Sequence, residues 1–108
     1  MKSIIPFLFF ILFSIDASAN SSFGAKTIKR IYFHDSGQLR IEFNEPATHT
    51  EPCSIKHIYT IDENYKFFQE MYSGLLAAMH SKSTVSGWVN GCVNDAVTNI
   101  TRLDLFPN

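Results

Sequence analysis

The order of the predicted secondary-structure elements constrains the fold of this chain more than any other feature. One segment carries apolar side chains at helical spacing, whereas the other patterned segments have the β-branched and aromatic composition of short strands. Few small folds place a single helix between the third and fourth of five strands, so the order β-β-β-α-β-β predicts the architecture. The predicted strands cover residues 26–34, 38–44, 54–61, 84–90 and 98–106, and the predicted helix covers residues 62–80.

The predicted helix is amphipathic. Its apolar residues recur every three or four positions and should face a sheet, while its polar residues mark the side exposed to water. Asp62 is the predicted N-cap, and we expect Gly74 to allow a close approach to the sheet. The apolar positions are Tyr65, Phe68, Met71, Tyr72, Leu75, Leu76 and Met79, and the polar positions are Lys66, Gln69, Glu70 and Ser73.

The first 19 residues have the three parts of a secretory signal peptide. Lys2 supplies a positive start, residues 4–15 are almost wholly apolar, and Ala17-Ser18-Ala19 is a small-residue cleavage signature. An uncleaved anchor is the alternative, but the apolar run is shorter than the about 20 residues of a membrane span. We therefore predict a secreted or periplasmic protein without stable membrane insertion, in which residues 20–108 form a single domain.

The two cysteines both lie in the predicted exported part. An oxidising compartment favours a disulfide between Cys53 and Cys92, with free thiols or an intermolecular bridge as the alternatives. The two positions are 39 residues apart. Closing a loop of that size stabilises a folded domain by about 4 kcal/mol in the loop-entropy model.

Charge and motif spacing exclude several functions. The formal net charge of −1 provides no basic surface for nucleic acid. The histidine spacings match no metal motif, and no glycine-rich phosphate loop is present, so we predict neither metal nor cofactor. The run His34-Asp35-Ser36 reads as a hairpin turn, because a catalytic triad needs residues that converge from separate positions.

Three acids near the second predicted strand are the strongest enzymatic candidates. A carboxylate pair among Glu42, Glu45 and Glu51 could serve glycoside hydrolysis, but a solvated loop edge explains the same residues more simply. No acid and base can be paired from the sequence, so we predict that the chain is not an enzyme.

The element order favours a mainly β fold with one helix, an OB-fold-like barrel of five strands. In that fold the helix lies between the third and fourth strands and covers one end of a Greek-key barrel. Barrel closure also removes the exposed strand edges that would promote aggregation of a small sheet. The alternative is an open α+β roll in which one helix covers one sheet.

Trp88 and Asn90 lie on the strand that follows the predicted helix, in the stretch Val85-Ser86-Gly87-Trp88-Val89-Asn90. This placement, with the element order, the export signal and one disulfide, resembles the B subunits of AB5 bacterial toxins. Those subunits are OB-fold pentamers that bind cell-surface glycans, and in the cholera and heat-labile enterotoxin group a Trp on this strand stacks on galactose. The resemblance implies that Trp88 and Asn90 contact a sugar, in a homopentamer that accompanies an enzymatic A subunit.

Two functions follow from these expectations. The first is a small exported, non-enzymatic domain that binds glycan through Trp88, whose indole offers the largest stacking surface of any side chain. The second is a secreted or periplasmic domain that binds or inhibits another protein, in which case Trp88 is a core or interface residue.

Overall fold

The computed structural model describes residues 20–107 as a mainly β domain with one helix. The predicted signal peptide, residues 1–19, lies outside the described residues. The fold class of mainly β with a single helix between strands is confirmed. The elements are β1 (Ser21–Ser22), β2 (Ile28–Phe33), β3 (Leu39–Phe43), β4 (Ile55–Thr60), α1 (Phe68–Ser81), β5 (Val85–Val93) and β6 (Val97–Leu105).

The strands form one mixed sheet in the order β1-β5-β6-β4-β3-β2. Strands β4 and β6 are parallel, and every other neighbouring pair is antiparallel. The prediction of a closed five-stranded barrel differs from this arrangement, because the sheet has six strands and ends at β1 and β2. The segment between β1 and β2 bonds to other parts of the sheet, since Lys26 exchanges two backbone hydrogen bonds with Val85 on β5 and Thr27 accepts one from Asn44, just after β3.

The first strand is a feature that the sequence pattern does not reveal. Residues 20–25 read as a flexible lead-in, but Ser21 and Ser22 pair with Val89 and Trp88 on β5, and the Phe23 side chain is fully buried. A two-residue strand is too short to show an alternating pattern. Its conformation depends on the exposed backbone of β5, so only the tertiary structure defines it.

Both hairpins have turns that their sequences favour. The predicted hairpin of β2 and β3 is confirmed, and it contains a bulge between Ile28 and Arg30. Strand β5 continues past the predicted end at residue 90 and ends at Val93. The chain reverses at Asn94 and Asp95, which both have positive φ angles of 54° and 60°. The Ala96 N–H donates to the Val93 carbonyl oxygen, and Val93 pairs with Val97, so the hairpin is closed by a tight three-residue loop.

Helix α1 begins at Phe68 rather than at Asp62. Residues 62–67 form turns, in which the Asp62 side chain accepts a hydrogen bond from the backbone of Asn64. The Asn99 side chain also accepts the Asp62 N–H, and the Tyr65 hydroxyl donates to the carbonyl oxygen of Thr101 at 2.8 Å. These bonds to β6 hold the segment against the sheet, so the helix starts one and a half turns later than its apolar spacing predicts.

Helix α1 packs against β2 and β6 through only part of its predicted apolar face. Met71, Leu75 and Ala78 are buried, whereas Leu76 and Met79 are exposed, contrary to the prediction that they face the sheet. The close approach expected at Gly74 is confirmed, because a Cβ atom there would lie 2.8 Å from the Leu105 side chain. The buried side of α1 therefore includes Gly74 and Ala78, which were not among the predicted apolar positions.

The core is built around stacked aromatic rings. The Phe23 and Phe43 ring centroids lie 5.3 Å apart, and Tyr59 lies 4.9 Å from Phe43 in an edge-on contact. The buried hydroxyl of Tyr59 has no hydrogen-bond partner within residues 20–107. Burial raises the pKa of Tyr59 to about 12. The hydroxyl is therefore neutral and contributes an unpaired polar group to the core.

Candidate functional site

The predicted disulfide between Cys53 and Cys92 is confirmed, with an S–S distance of 2.08 Å and a Cα–Cα distance of 5.5 Å. It joins β5 to residues 44–54, the connection between β3 and β4, which we call the polar loop. The polar loop has no helix or strand, yet His49, Glu51 and Cys53 are all buried. Its fixed shape therefore depends on side-chain bonds and on the disulfide rather than on a backbone ladder.

Glu51 is the most buried acid among the described residues, with only 2% of its surface exposed. One carboxylate oxygen accepts a hydrogen bond from the Ser21 hydroxyl at 2.9 Å, and the other accepts one from the Gly91 N–H at 2.7 Å. The interpretation of Glu51 as part of a solvated loop edge is therefore wrong. Tertiary contacts supply two donors that compensate the carboxylate for lost water.

His49 connects the polar loop to the sheet. Its Nδ1 atom accepts the backbone N–H of Glu51 at 3.1 Å. Its Nε2 atom lies 3.0 Å from the carbonyl oxygen of Lys56 and 3.1 Å from the Thr98 hydroxyl. Because Nδ1 is an acceptor and a carbonyl oxygen cannot donate, the ring is neutral with its proton on Nε2.

The other two acids of the predicted cluster have separate partners. Glu42 is bound by the Arg30 guanidinium, whose Nη2 and Nε atoms lie 2.6 and 3.0 Å from one carboxylate oxygen, and this bond holds the pKa of Glu42 below 4.5. Burial acts to raise the pKa of Glu45, but hydrogen bonds from the N–H and hydroxyl of Thr27 outweigh it and lower that pKa. No pair among the three acids shares a bonding partner, so a joint acid and base role gains no support.

Trp88 lines an open surface cavity of about 430 Å³. It lies directly opposite Arg102 on β6 and opposite Ser22 on β1, and its indole is half-buried. Opposed residues on antiparallel strands project from the same face, so the indole and the guanidinium are neighbours. The remaining lining residues are Asn20, Tyr65 and Thr101.

A second cavity, of about 440 Å³, shares three lining residues with the first. The two cavities therefore form one depression, which we call the β6 groove, running from Trp88 past Tyr65 toward Phe67. Its far part is more apolar, and Glu70 and Asp104 add negative charge to its rim. The second cavity is lined by Tyr65, Phe67, Glu70, Met71, Thr101, Arg102, Leu103, Asp104 and Leu105.

The β6 groove combines flat aromatic surface with polar groups able to form directional bonds. Asp104 accepts the Nε–H of Arg102 at 2.9 Å, and within residues 20–107 the two terminal Nη groups of Arg102 have no partner. The Tyr65 hydroxyl is used by Thr101, which fixes the ring between the two cavities. Aromatic faces beside free donors and carboxylate acceptors are the groups that recognise sugar rings and hydroxyls.

The two predicted ligand residues differ in their surroundings. Trp88 lies in the β6 groove, whereas Asn90 is exposed and does not line it; the Asn90 carbonyl oxygen accepts a 3.5 Å hydrogen bond from Asn99. Sequence reasoning missed Tyr65 and Arg102, which the fold brings to Trp88. Arg102 could have been identified from the sequence, since the pairing of the last two predicted strands places it opposite Trp88. No sequence pattern could have identified Tyr65 as a neighbour of Trp88, because its spacing predicted a helix.

Two other surfaces are candidate binding regions. A cavity of about 480 Å³ lies between the two hairpin turns and residues 60–64, where Phe33 and Asn94 are among its lining residues. An apolar stripe, formed by Phe33, Tyr72, Leu76 and Met79, runs along the outer side of α1 and the end of β2. Phe33 is 70% exposed and contacts the Tyr72 ring edge-on at 6.1 Å.

Within residues 20–107 no helix is both long and apolar enough to cross a bilayer. No group of three or more His, Cys, Asp or Glu side chains in this range could hold a metal ion. Comparison of the chain with protein-family models, with curated proteins and with solved structures finds no match to any of them.

Proposed function

We propose that this chain is an exported, non-enzymatic domain that binds glycan in the β6 groove. The observation that carries the proposal is the position of Trp88, a half-buried indole whose cavity also contains Arg102 and the ring of Tyr65. Sugar rings stack their apolar C–H faces on aromatic side chains while their hydroxyls bond to neighbouring polar groups. The groove offers both kinds of contact within one depression.

The strand pairing supports an OB-fold-like architecture for this domain. Strands β2, β3 and β4 form a three-stranded antiparallel unit. Strand β4 also pairs in parallel with β6, which follows the helix in the sequence. Lys26 and Thr27, between β1 and β2, also bond through their backbones to Val85 on β5 and to Asn44 just after β3. These features are those expected of a Greek-key barrel with its helix after the third strand, the fold of the AB5 toxin B subunits that the sequence resembles.

The apolar stripe supports self-association of this domain, with a second copy of the chain as the occupant. Phe33 lies at the end of β2, a sheet edge whose outward backbone groups are unpaired within the described residues. An exposed edge next to exposed apolar side chains is a surface that association would cover. A homopentamer that accompanies an enzymatic A subunit is the assembly that the toxin resemblance implies.

Glycan binding is tested by comparing two aromatic substitutions on different surfaces. The protein without residues 1–19 is applied to an array of cell-surface glycans, and each bound glycan is then titrated by calorimetry. Trp88→Ala should abolish binding, because stacking on the indole supplies much of the contact area. Phe33→Ala, which removes an exposed ring from the apolar stripe and from the cavity at the hairpin turns, should leave the calorimetric affinity of each subunit unchanged, and should weaken binding to the array only through loss of self-association.

Two results would count against the proposal. Loss of binding in Phe33→Ala but not in Trp88→Ala would move the ligand site to the cavity at the hairpin turns. Absence of binding to every glycan would end the proposed function.

The alternative function is that of a secreted or periplasmic protein-binding or inhibitor domain, and the apolar stripe favours it. The mass in solution separates the two proposals. A pentameric mass by light scattering, reduced in Leu76→Ser, supports ring formation. A monomer that captures one defined protein through the same stripe, without binding glycan, supports the protein-binding function.

A further inference from the structure

We propose that one side of β6, at residues 101–105, binds an extended segment of a partner protein as an added strand. We call this stretch of backbone the free β6 edge. The proposal goes beyond glycan binding, because Leu103 and Leu105 line the far part of the β6 groove and not the Trp88 cavity. The occupant is therefore a second kind of ligand, and its binding does not require Trp88.

The strand partners of β6 leave this edge unpaired. On one side, β5 pairs with β6 from Val97 to Leu105, but on the other side β4 pairs with β6 only at residues 97–99. From residue 101 onward, one bond within the described residues reaches this second side, from the Tyr65 hydroxyl to the Thr101 carbonyl oxygen. The end of β6 is therefore an edge inside the sheet, where β4 has turned away.

The hydrogen bonds of β5 show which groups of β6 point outward. Val85, opposite Leu105, exchanges two backbone bonds with Lys26, and Gly87, opposite Leu103, accepts a backbone N–H from the segment after β1. Opposed residues of an antiparallel pair either bond to each other or both point away. The N–H and C=O groups of Leu103 and Leu105 therefore point away from β5, and within residues 20–107 they have no hydrogen-bond partner.

Exposed apolar side chains border the same edge. Of the six large apolar side chains that are exposed among the described residues, three lie here: Phe67, Leu105 and Phe106. Phe67 and Leu105 line the cavity of about 440 Å³, and Leu105 and Phe106 line a smaller cavity of about 110 Å³ beside Gly74. An added strand gains affinity from main-chain hydrogen bonds and specificity from pockets for its side chains. The free β6 edge offers both.

The edge lies in a groove, and the groove determines the kind of partner. The opposite wall comes from the segment before α1 and from its first turn, through Tyr65, Phe67 and Glu70. A single extended chain can lie between this wall and β6, whereas the edge of a second folded sheet would meet the wall with its neighbouring strand. The geometry therefore favours a flexible segment of another protein over a second copy of this domain.

The charges that line the groove favour a basic residue in this segment. Arg102 and Asp104 pair with each other, whereas Glu70 has no partner among the described residues, so the lining has a net negative charge. Lys66 lies over the ring of Phe67 at 5.3 Å and is not part of the lining. A Lys or Arg next to the apolar side chains of the added strand would pair with Glu70.

Peptide selection identifies segments that bind the edge. Random peptides of about ten residues, long enough for one strand, are displayed on phage and selected on the immobilised protein without residues 1–19. We expect enriched sequences with apolar residues at alternate positions and at least one Lys or Arg. Glu70→Lys should weaken the affinity of a synthetic copy about fivefold. Glu63→Lys, the same change at an exposed acid outside the groove, should leave it unchanged.

Amide hydrogen exchange tests strand addition at the backbone. The bound peptide should protect the Leu103 and Leu105 amides about tenfold or more, because they gain partners. The amides of Arg102 and Asp104 point to β5 and should keep their protection. N-methylation of the peptide at alternate residues gives the complementary result: in one register it should weaken binding about tenfold, and in the other it should not.

Three results would overturn the proposal. The first is that no peptide is enriched. The second is a bound peptide that protects neither Leu103 nor Leu105, or whose N-methylation has the same effect in both registers. The third is protection of these two amides in a dimer of the free protein, which would assign the edge to a second copy. None of these results depends on glycan binding, so the edge and the Trp88 cavity succeed or fail separately.

Discussion

The polar loop and the β6 groove show opposite ways of using side chains in a small domain. The polar loop has no regular secondary structure, but it buries His49 and Glu51 and gives each of them hydrogen-bond partners. The β6 groove is built on a strand and a helix, yet it leaves apolar and charged groups open to water. Side-chain burial therefore does not follow regular secondary structure here. The side chains of the irregular polar loop are more buried and more fully hydrogen-bonded than those of the groove.

This difference explains where a ligand can bind. In the polar loop the donors and acceptors are already paired, so a ligand would have to break existing bonds. In the groove, the terminal groups of Arg102 and the face of Trp88 are available within the described part of the chain. The disulfide and the polar loop stabilise the scaffold, while the groove is the surface that we propose for glycan recognition.

Removal of the disulfide should have the largest effect on stability. The double variant Cys53→Ala/Cys92→Ala should lose about 4 kcal/mol of unfolding free energy, because the unfolded chain regains the freedom of the closed loop. Urea denaturation of wild type and variant, with and without reductant, measures this loss. Equal midpoints would show that the side-chain bonds of the polar loop suffice without the covalent link.

Two glutamate substitutions compare the regions directly. Glu51→Ala should cost about 2–3 kcal/mol, because it leaves the Ser21 hydroxyl and the Gly91 N–H unpaired. Glu70→Ala, which removes an exposed acid from the rim of the groove, should change stability by less than about 0.5 kcal/mol. Chemical denaturation of both variants and of the wild type gives the two losses of unfolding free energy to be compared. Similar losses of stability in the two variants would contradict the view that side chains of the polar loop are more tightly hydrogen-bonded than those of the groove.

Two tyrosine substitutions should change stability in opposite directions. Tyr65→Phe removes the 2.8 Å bond to Thr101 at the groove and should cost about 1 kcal/mol. Tyr59→Phe removes a buried hydroxyl that has no partner in residues 20–107 and should be neutral or stabilise by about 1 kcal/mol. Thermal unfolding followed by circular dichroism compares the two. A clear loss in Tyr59→Phe would indicate a water molecule bound to that hydroxyl.

The smallest change in stability should come from lowering the pH. Glu42 and Glu45 have folded-state pKa values below the ordinary 4.5, so protons bind the unfolded chain more tightly. Their contribution is complete above about pH 4.5 and is lost as the pH falls through the folded-state values. We expect Tm to fall by a few degrees in that range, and the double variant Glu42→Gln/Glu45→Gln to show a smaller fall. A pH-independent difference between the two proteins would contradict this origin.

Local patterns predicted most of the elements correctly. The predicted strand at residues 38–44 has an alternating pattern, and its apolar residues Leu39, Ile41 and Phe43 are all buried. The helix, the hairpin of β2 and β3, and the disulfide follow from spacing and composition as well. The errors lie where distant residues compete with local preference, as in the turns at residues 62–67, which bond to β6 through Tyr65 and Asn99.

The candidate site was predictable only in part. Trp88 could be chosen because it is the single tryptophan on a predicted strand, but its neighbours come from sequence positions up to 68 residues away, as the pair Asn20 and Trp88 shows. Leu76 and Met79 are exposed, while Gly74 lies close to the Leu105 side chain, an orientation of the helix that no periodicity encodes. Apolar residues at helical spacing identify one face of a helix, but they do not specify how much of that face the sheet covers.

The sequence by itself predicted the helix, the order of the five longer strands and the disulfide between the two cysteines, because these depend on local spacing and on the chemistry of two cysteines in an oxidising compartment. The tertiary structure alone decided that Glu51 is buried, that Ser21 and Ser22 form a strand, and that Tyr65 and Arg102 meet Trp88. A carboxylate is solvated or buried according to the donors that surround it, and those of Glu51 lie 30 and 40 residues away.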